Sequence, residues 1–186
     1  MKIAAIWQRI DSWLTSNGIE AHVRLLPGAK KEEIEKIEKT IQIALPKAIK
    51  DSWHIHNGQH GLATALVPPW EILSHEGIIR FWNRMQKLMA DGAFDETQAI
   101  PIGPVQAVWW HARWVPLAHN GAGDLLCADM APAKNGRKGQ MITVWHTREQ
   151  REVIADSFTE WLNRFADDLE QGRYQISGEE LIPIEL

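Results

Sequence analysis

Three histidines, one cysteine, two aspartates and an adjacent pair of tryptophans are the residues of this 186-residue chain whose types and spacing suggest chemistry. His54, His56 and His60 read H-x-H-x3-H, and imidazole is a common ligand for zinc or copper. The pattern falls at the predicted end of a helix, where residues two apart do not face each other. No carboxylate or thiol stands at useful spacing, so histidine at a helix C-terminus, favoured by the dipole, is the simpler reading. Cys127 lies mid-strand between Leu126 and Ala128, where a free thiol is usually a small buried hydrophobe. A distant histidine partner stays open, because such pairs are separated in sequence. No Gly-x-Ser-x-Gly elbow and no Walker-type Gly-Lys-Ser/Thr occurs. Gly121-Ala122-Gly123 lacks the strand–loop–helix setting of a nucleotide fingerprint. Asp124 and Asp129 flank one predicted strand and, on a regular strand, point to opposite faces. Turn-forming aspartates bonded to backbone amides explain them without catalysis.

Trp109 and Trp110 are adjacent on a predicted strand, so their side chains also point to opposite faces. If one face is core, the other tryptophan is exposed or covered by a loop or partner, and exposed tryptophans often serve as interface anchors. Ten tryptophans stand beside one tyrosine, and tryptophan serves cores and interfaces alike. Trp70, Trp109, Trp110, Asp124 and Asp129 are therefore the candidate partner-binding residues. No catalytic, cofactor-binding or metal-binding set is assigned.

The elements that would position these residues follow from periodicity and turn chemistry. Helices are predicted over Lys2–Ser16, Lys30–Ile41, a short one from Pro46, Ser74–Ala90, and one opening at Ser157. Asn57-Gly58 is read as the stop of the third. Ser157 with Glu160 has the form of a capping box, and Gly172 suits the position just past that helix. Strands are predicted near Leu62–Val67, Val105–Trp110, Arg113–Ala118, Asp124–Asp129, Gln140–His146 and Glu152–Ile154, with Asn120-Gly121 and Asn135-Gly136 as turns. Asp95–Gly103 reads as loop, and Tyr174–Leu186 as an irregular, partly disordered tail. Helices first, then a strand-rich block, then a helix argue for an α+β fold. The expected domain covers residues 1–174, a mixed, largely antiparallel sheet packed by about five helices, followed by the tail 175–186.

Composition narrows the classes further. The formal net charge of −4, with pI near 6.1, counts against a nucleic-acid binder, which needs a concentrated basic face. The basic cluster Lys134, Arg137 and Lys138 lies in a turn and reads as solvated. One cysteine leaves no internal disulfide framework and fits a reducing compartment. The start is too quickly polar for a signal peptide, and no run approaches the roughly 20 apolar residues that span a bilayer. A cytoplasmic protein without a membrane or nucleic-acid partner is expected, as a monomer or weak homodimer.

Taken together, the motifs resemble the SUKH superfamily, the Smi/Knr-type group of fungal cell-wall-assembly regulators and bacterial toxin-immunity proteins. The resemblance rests first on Leu26-Pro27-Gly28-Ala29, Ile34, Glu38, Leu45-Pro46, Ile49, Trp53 and His56-Asn57-Gly58. It rests next on Trp114-Val115-Pro116-Leu117-Ala118, Asn120-Gly121, Gly123-Asp124, Cys127, Asp129, Pro132 and Gly139-Gln140. The closing Ser-Phe-x-x-Trp-Leu helix, with its Leu-Glu-x-Gly-x-Tyr end, completes it. Ile43-Ala44 departs from the family's frequent Leu-Gly. The resemblance implies an α+β fold, no established enzymatic activity, no cofactor, and action through protein partners. The expectation that follows is a non-enzymatic binding module, foremost an immunity protein neutralising a toxin. The alternative is a regulatory scaffold in cell-wall assembly or signalling, and a hydrolase or metal-dependent enzyme comes last.

Overall fold

Isoleucine, leucine and tryptophan at three- and four-residue spacing make the first helix, α1 (Ile3–Ser16), in the computed structural model, which describes residues 2–61 and 63–184. Ile3, Ile6, Trp7, Ile10 and Leu14 are buried along one stripe. A single-turn helix, α2 (Glu20–Val23), and strand β1 (Leu25–Pro27) follow. α3 (Lys31–Ile41) buries Ile34, Ile37 and Ile41 and exposes its charged face. α4 (Lys47–Trp53) is tied to α1 inside the core, where Trp7 Nε1 donates to Ser52 Oγ at 2.8 Å. β2 (His56–Gln59) then pairs antiparallel with β1.

Two glycines hold this corner closed. A Cβ on Gly28 would stand 2.0 Å from the His54 carbonyl oxygen. Gly58, at φ +76°, would place one 2.4 Å from the Leu73 carbonyl carbon. Backbone approaches this close admit only glycine.

The chain continues through β3 (Glu71–Ile72) into α5 (His75–Ala90), whose start is capped by Ser74 Oγ accepting from the Gly77 amide at 3.2 Å. Next come β4 (Ile100–Ile102), β5 (Trp114–His119), β6 (Leu125–Asp129), β7 (Gln140–Val144) and β8 (Gln150–Ala155). α6 (Phe158–Glu170) and the hairpin β9 (Tyr174–Ser177)–β10 (Glu180–Pro183) close the described chain. One six-stranded sheet has the order β3-β5-β6-β7-β8-β4. Its neighbours are antiparallel except β4, which runs parallel to β8 at the edge. There the Ile100 amide donates to the Glu149 carbonyl at 2.9 Å, while Ile100 and Ile102 remain exposed.

The centre of the sheet is buried on both faces. Val115, Leu117, Leu126, Ala128 and Met141 join the larger core with α1, α4 and α6. Trp114, Leu125, Cys127, Ile142 and Val144 form a second core, covered by Phe81, Trp82 and Met85 of α5 and by Val105 and Trp110. Register shifts between Pro116 and Ala118 and between Met141 and Ile142 adjust the alternation. Because neither face is wet, β5 to β7 read as predominantly apolar runs rather than regularly alternating ones.

Gln59 joins the two halves. Its buried amide donates to the Val23 and Thr64 carbonyls, both at 2.7 Å. Its carbonyl oxygen accepts from the Leu66 amide at 3.1 Å and the Ile72 amide at 2.9 Å. The side chain thus satisfies backbone groups at the end of α2, in the 63–67 segment and on the outer side of β3.

The α+β class and the mixed, largely antiparallel sheet agree with the expectation, as do α1, α3, α5 and α6 within a residue or two at their ends. Ser157 Oγ caps α6 by accepting from Glu160 N at 3.2 Å, though Glu160 reaches back to Asp156 N rather than Ser157 N. Several expectations fail. The run from Val105 to Trp110 is a loop, because Val105 and Trp110 fold onto the second core instead of into a ladder. The edge strand lies earlier, at β4, inside the expected loop. Residues 63–67 form no strand beyond a single bridge from Val67 to Trp70, and Leu62 lies outside the described residues. Asn57-Gly58 does not stop α4, which ends at Trp53, but belongs to β2. From Tyr174 the chain pairs as a hairpin whose Leu181 is buried in the main core, with residues 185–186 outside the described ones.

Gln59→Leu keeps the shape but strands four backbone groups, so unfolding free energy should fall by about 3 kcal/mol or more. Urea denaturation measures it, and a loss under about 1 kcal/mol would show that water or rearrangement replaces those bonds.

Candidate functional site

The adjacent tryptophans leave the strand expectation but separate as expected in exposure. Trp110 is buried, edge-on to Trp114 with ring centroids 5.8 Å apart, so it is core. Trp109 is half-buried and faces a cleft. Behind its ring lies Arg151, fully buried, with Cζ 4.4 Å from the ring centroid. Arg151 Nε donates to the Trp109 carbonyl at 3.0 Å, and Nη1 donates to the Arg148 and Gln150 carbonyls at 2.8 Å. Burial pushes its pKa down to about 10. The guanidinium therefore pins Trp109 by backbone and by ring, which makes that wall of the cleft rigid.

The cleft measures about 190 Å³ and lies between α5 and the second core. Phe81, Met85 and Leu88 come from α5, Phe94 and Trp109 from the following loops, and Leu125 and Val144 from β6 and β7. Periodicity accounts for the α5 side chains, which fall on its inward face. Among the described residues, the ionisable ones lining it are Arg84 and His146.

Asp124 reaches the site through His146. Its carboxylate accepts from the His146 amide at 2.8 Å and lies 2.9 Å from the same ring's Nδ1. Asn120 Nδ2 also donates to it at 2.6 Å. Burial alone would raise the Asp124 pKa, but these donors outweigh it and hold the carboxyl below its ordinary range. Gly123, at φ +104°, gives the His146 ring its room: a Cβ there would stand 3.1 Å from the ring.

Asp129 is elsewhere. Fully buried at the far end of β6, it accepts from Ala131 N at 2.9 Å and Gln140 Nε2 at 3.0 Å. Burial raises its pKa despite those donors. The two aspartates share no partner and each holds a turn, so they do not form a carboxylate pair. Trp70 is buried against Trp145, with centroids 5.6 Å apart, and belongs to the main core. Of the five candidates, the structure brings Trp109 and, through His146, Asp124 to one site. It leaves Trp70, Trp110 and Asp129 in the interior. Arg151 and Arg84 were not anticipated. Arg151 falls just before the predicted strand Glu152–Ile154 and joins β8 only in the structure, and nothing in the helical pattern marked Arg84.

The histidines disperse. His54 Nδ1 lies 3.1 Å from the Ala29 carbonyl, His56 Nε2 lies 3.0 Å from Asp11, and His60 Nδ1 lies 2.9 Å from the Gly61 carbonyl. Among the described residues no group of three potential metal ligands converges. Cys127 is fully buried, and burial pushes its thiol well above its ordinary pKa, which disfavours a nucleophilic thiolate. No helix of the described residues is long and apolar enough to cross a membrane.

Because the folded Asp124 pKa is lowered, the stability it contributes is present above the ordinary carboxylate value and is lost as pH falls through the folded one. Asp124→Asn should cost about 1–2 kcal/mol near neutrality and progressively less below about pH 4. Urea denaturation across pH checks this, and a constant loss at every pH would contradict it.

The SMI1 / KNR4 family (SUKH-1) model matches residues 28–164. The chain is 29% identical over 188 residues to the cell wall biosynthesis/cell cycle regulator smi1 of Schizosaccharomyces pombe, covering 94% of this chain and 37% of that protein. It is 24% identical to a glucan synthesis regulatory protein of Neurospora crassa, over 92% of this chain and 39% of the relative. It is 25% identical to the cell wall assembly regulator SMI1 of Saccharomyces cerevisiae, over 91% of this chain and 41% of the relative. The chain thus spans about two fifths of the length of these curated relatives. These names favour the regulatory alternative over the toxin-immunity expectation. With the matched stretch running from the Gly28 corner into α6, the chain belongs to the SMI1 / KNR4 family (SUKH-1).

Proposed function

We propose that this chain is a non-catalytic protein-binding module that regulates cell-wall assembly, holding its partner at the Trp109 cleft. The observation that carries the reading is the naming of the relatives as cell-wall and glucan-synthesis regulators across more than nine-tenths of this chain. The site supports the same reading. Its candidate aspartates are committed to turns, its thiol is buried, and its histidines do not converge. What remains accessible is a rigid aromatic wall beside α5, the kind of surface that anchors a partner's side chain.

The test is co-purification of the tagged chain from native lysate, with identification of stoichiometric partners. A wall-synthesis or signalling protein is the expected partner. A toxin domain would return the immunity reading to first place, and no protein partner at low and moderate salt would remove the binding-module reading.

Two substitutions separate contact from core. Trp109→Ala should weaken partner binding about tenfold or more, the effect of losing a central anchor. Trp110→Ala should instead lower stability by about 3 kcal/mol, as for a large buried side chain removed from a core. Binding titration and urea denaturation on both variants distinguish them, and equal affinity for Trp109→Ala and the parent would remove the cleft from the interface.

A further inference from the structure

We propose that the cleft receives one aromatic or bulky apolar side chain of a partner protein, presented on an acidic segment. This rests on the protein-binding reading above and names the chemistry of the partner.

The cavity sets the size of the guest. About 190 Å³ is close to the roughly 150 Å³ that holds a single benzene ring. It suits one side chain and is small for a drug-sized ligand. The walls set its polarity: Phe81, Phe94, Trp109 and Leu125 offer apolar faces. Trp109 is fixed from behind by Arg151, so little ordering cost is left for binding.

Charge around the mouth sets the flanks. The chain carries a formal net charge of −4, yet among the described residues no carboxylate lines the cleft. Arg84 lines it, is exposed, and has no ion-pair partner among the described residues. Arg148 lies 5.0 Å from the ring of Trp145, which borders the cleft. Arg148 has no ion-pair partner among the described residues. A guanidinium laid against an aromatic face keeps its N–H edge free and matches a carboxylate with two parallel bonds. Two arginines without an ion-pair partner beside an aromatic cleft, on a protein of net negative charge, are complementary to aspartate or glutamate flanking an inserted ring.

The experiment selects a random phage-displayed peptide library on the intact chain. Enriched peptides are then synthesised and their binding followed by fluorescence anisotropy, with adenosine monophosphate tested in parallel. The expected consensus is an aromatic or large apolar residue flanked by aspartate or glutamate. Replacing that residue by alanine should abolish binding, and added salt should weaken it. Arg84→Glu and Arg148→Glu alter exposed positions and should each weaken binding about tenfold with the fold intact by circular dichroism. No enrichment, or peptides indifferent to both charge reversals, would overturn the assignment. So would adenosine monophosphate binding lost in the same variants, which would make the cleft a nucleotide site. Peptides that bind independently of the arginines leave the protein-binding reading standing. A chain that selects no peptide and co-purifies with no protein sinks both.

Discussion

The side-chain amide of Gln59 is the interaction on which the arrangement of the rest depends. A buried amide has two donors and an acceptor with two lone pairs, and here all four are used on backbone groups of α2, the 63–67 segment and β3. These groups lie at the end of a single-turn helix, in an irregular segment and on the outer side of an edge strand, so without Gln59 they would be left unpaired. Two residues earlier, Asn57 performs a related service by accepting from the His75 amide at the start of α5. Gly58 between them permits the close passage over Leu73. These three consecutive positions set where α5 begins, and α5 supplies one wall of the cleft.

Legibility in sequence followed the range of the interactions. α1, α3 and α6 declared themselves because their stripes and caps are local, and α6 did so most clearly through Ser157 and Gly172. β5, β6 and β7 were found because runs buried on both faces are mostly apolar. The stretch from Val105 to Trp110 has the same composition for a different reason: its apolar residues cover the second core from a loop. Composition does not distinguish a strand from a lid when both are buried. β4 and the β9–β10 hairpin failed in the opposite direction, since short, exposed ladders leave almost no apolar pattern.

The candidate site was half visible. Tryptophan adjacency correctly implied that one of Trp109 and Trp110 would be accessible, although the geometry behind that inference was a strand that does not exist. What selects Trp109 is Arg151, a cation on β8 that meets it only in the folded chain. The motif residues that carry the family resemblance behave differently. Gly28 and Gly58 are required by backbone contacts, Gly123 makes room for His146, and Asp129 holds a turn. They report the fold, while the arginines around the cleft lie outside the motifs. A partner surface built from such positions can change without disturbing the framework.

The β4 edge has a consequence for the chain's behaviour at high concentration. Ile100 directs its amide toward β8, so the alternation of a strand directs the next position outward, and that position is Pro101. The one amide that would face an incoming strand is therefore missing. Ile100 and Ile102 supply apolar surface that would favour edge-to-edge stacking, and the proline ring denies it the donor such stacking needs. Resistance to fibrillar self-association at this edge is thus written into a single imino acid.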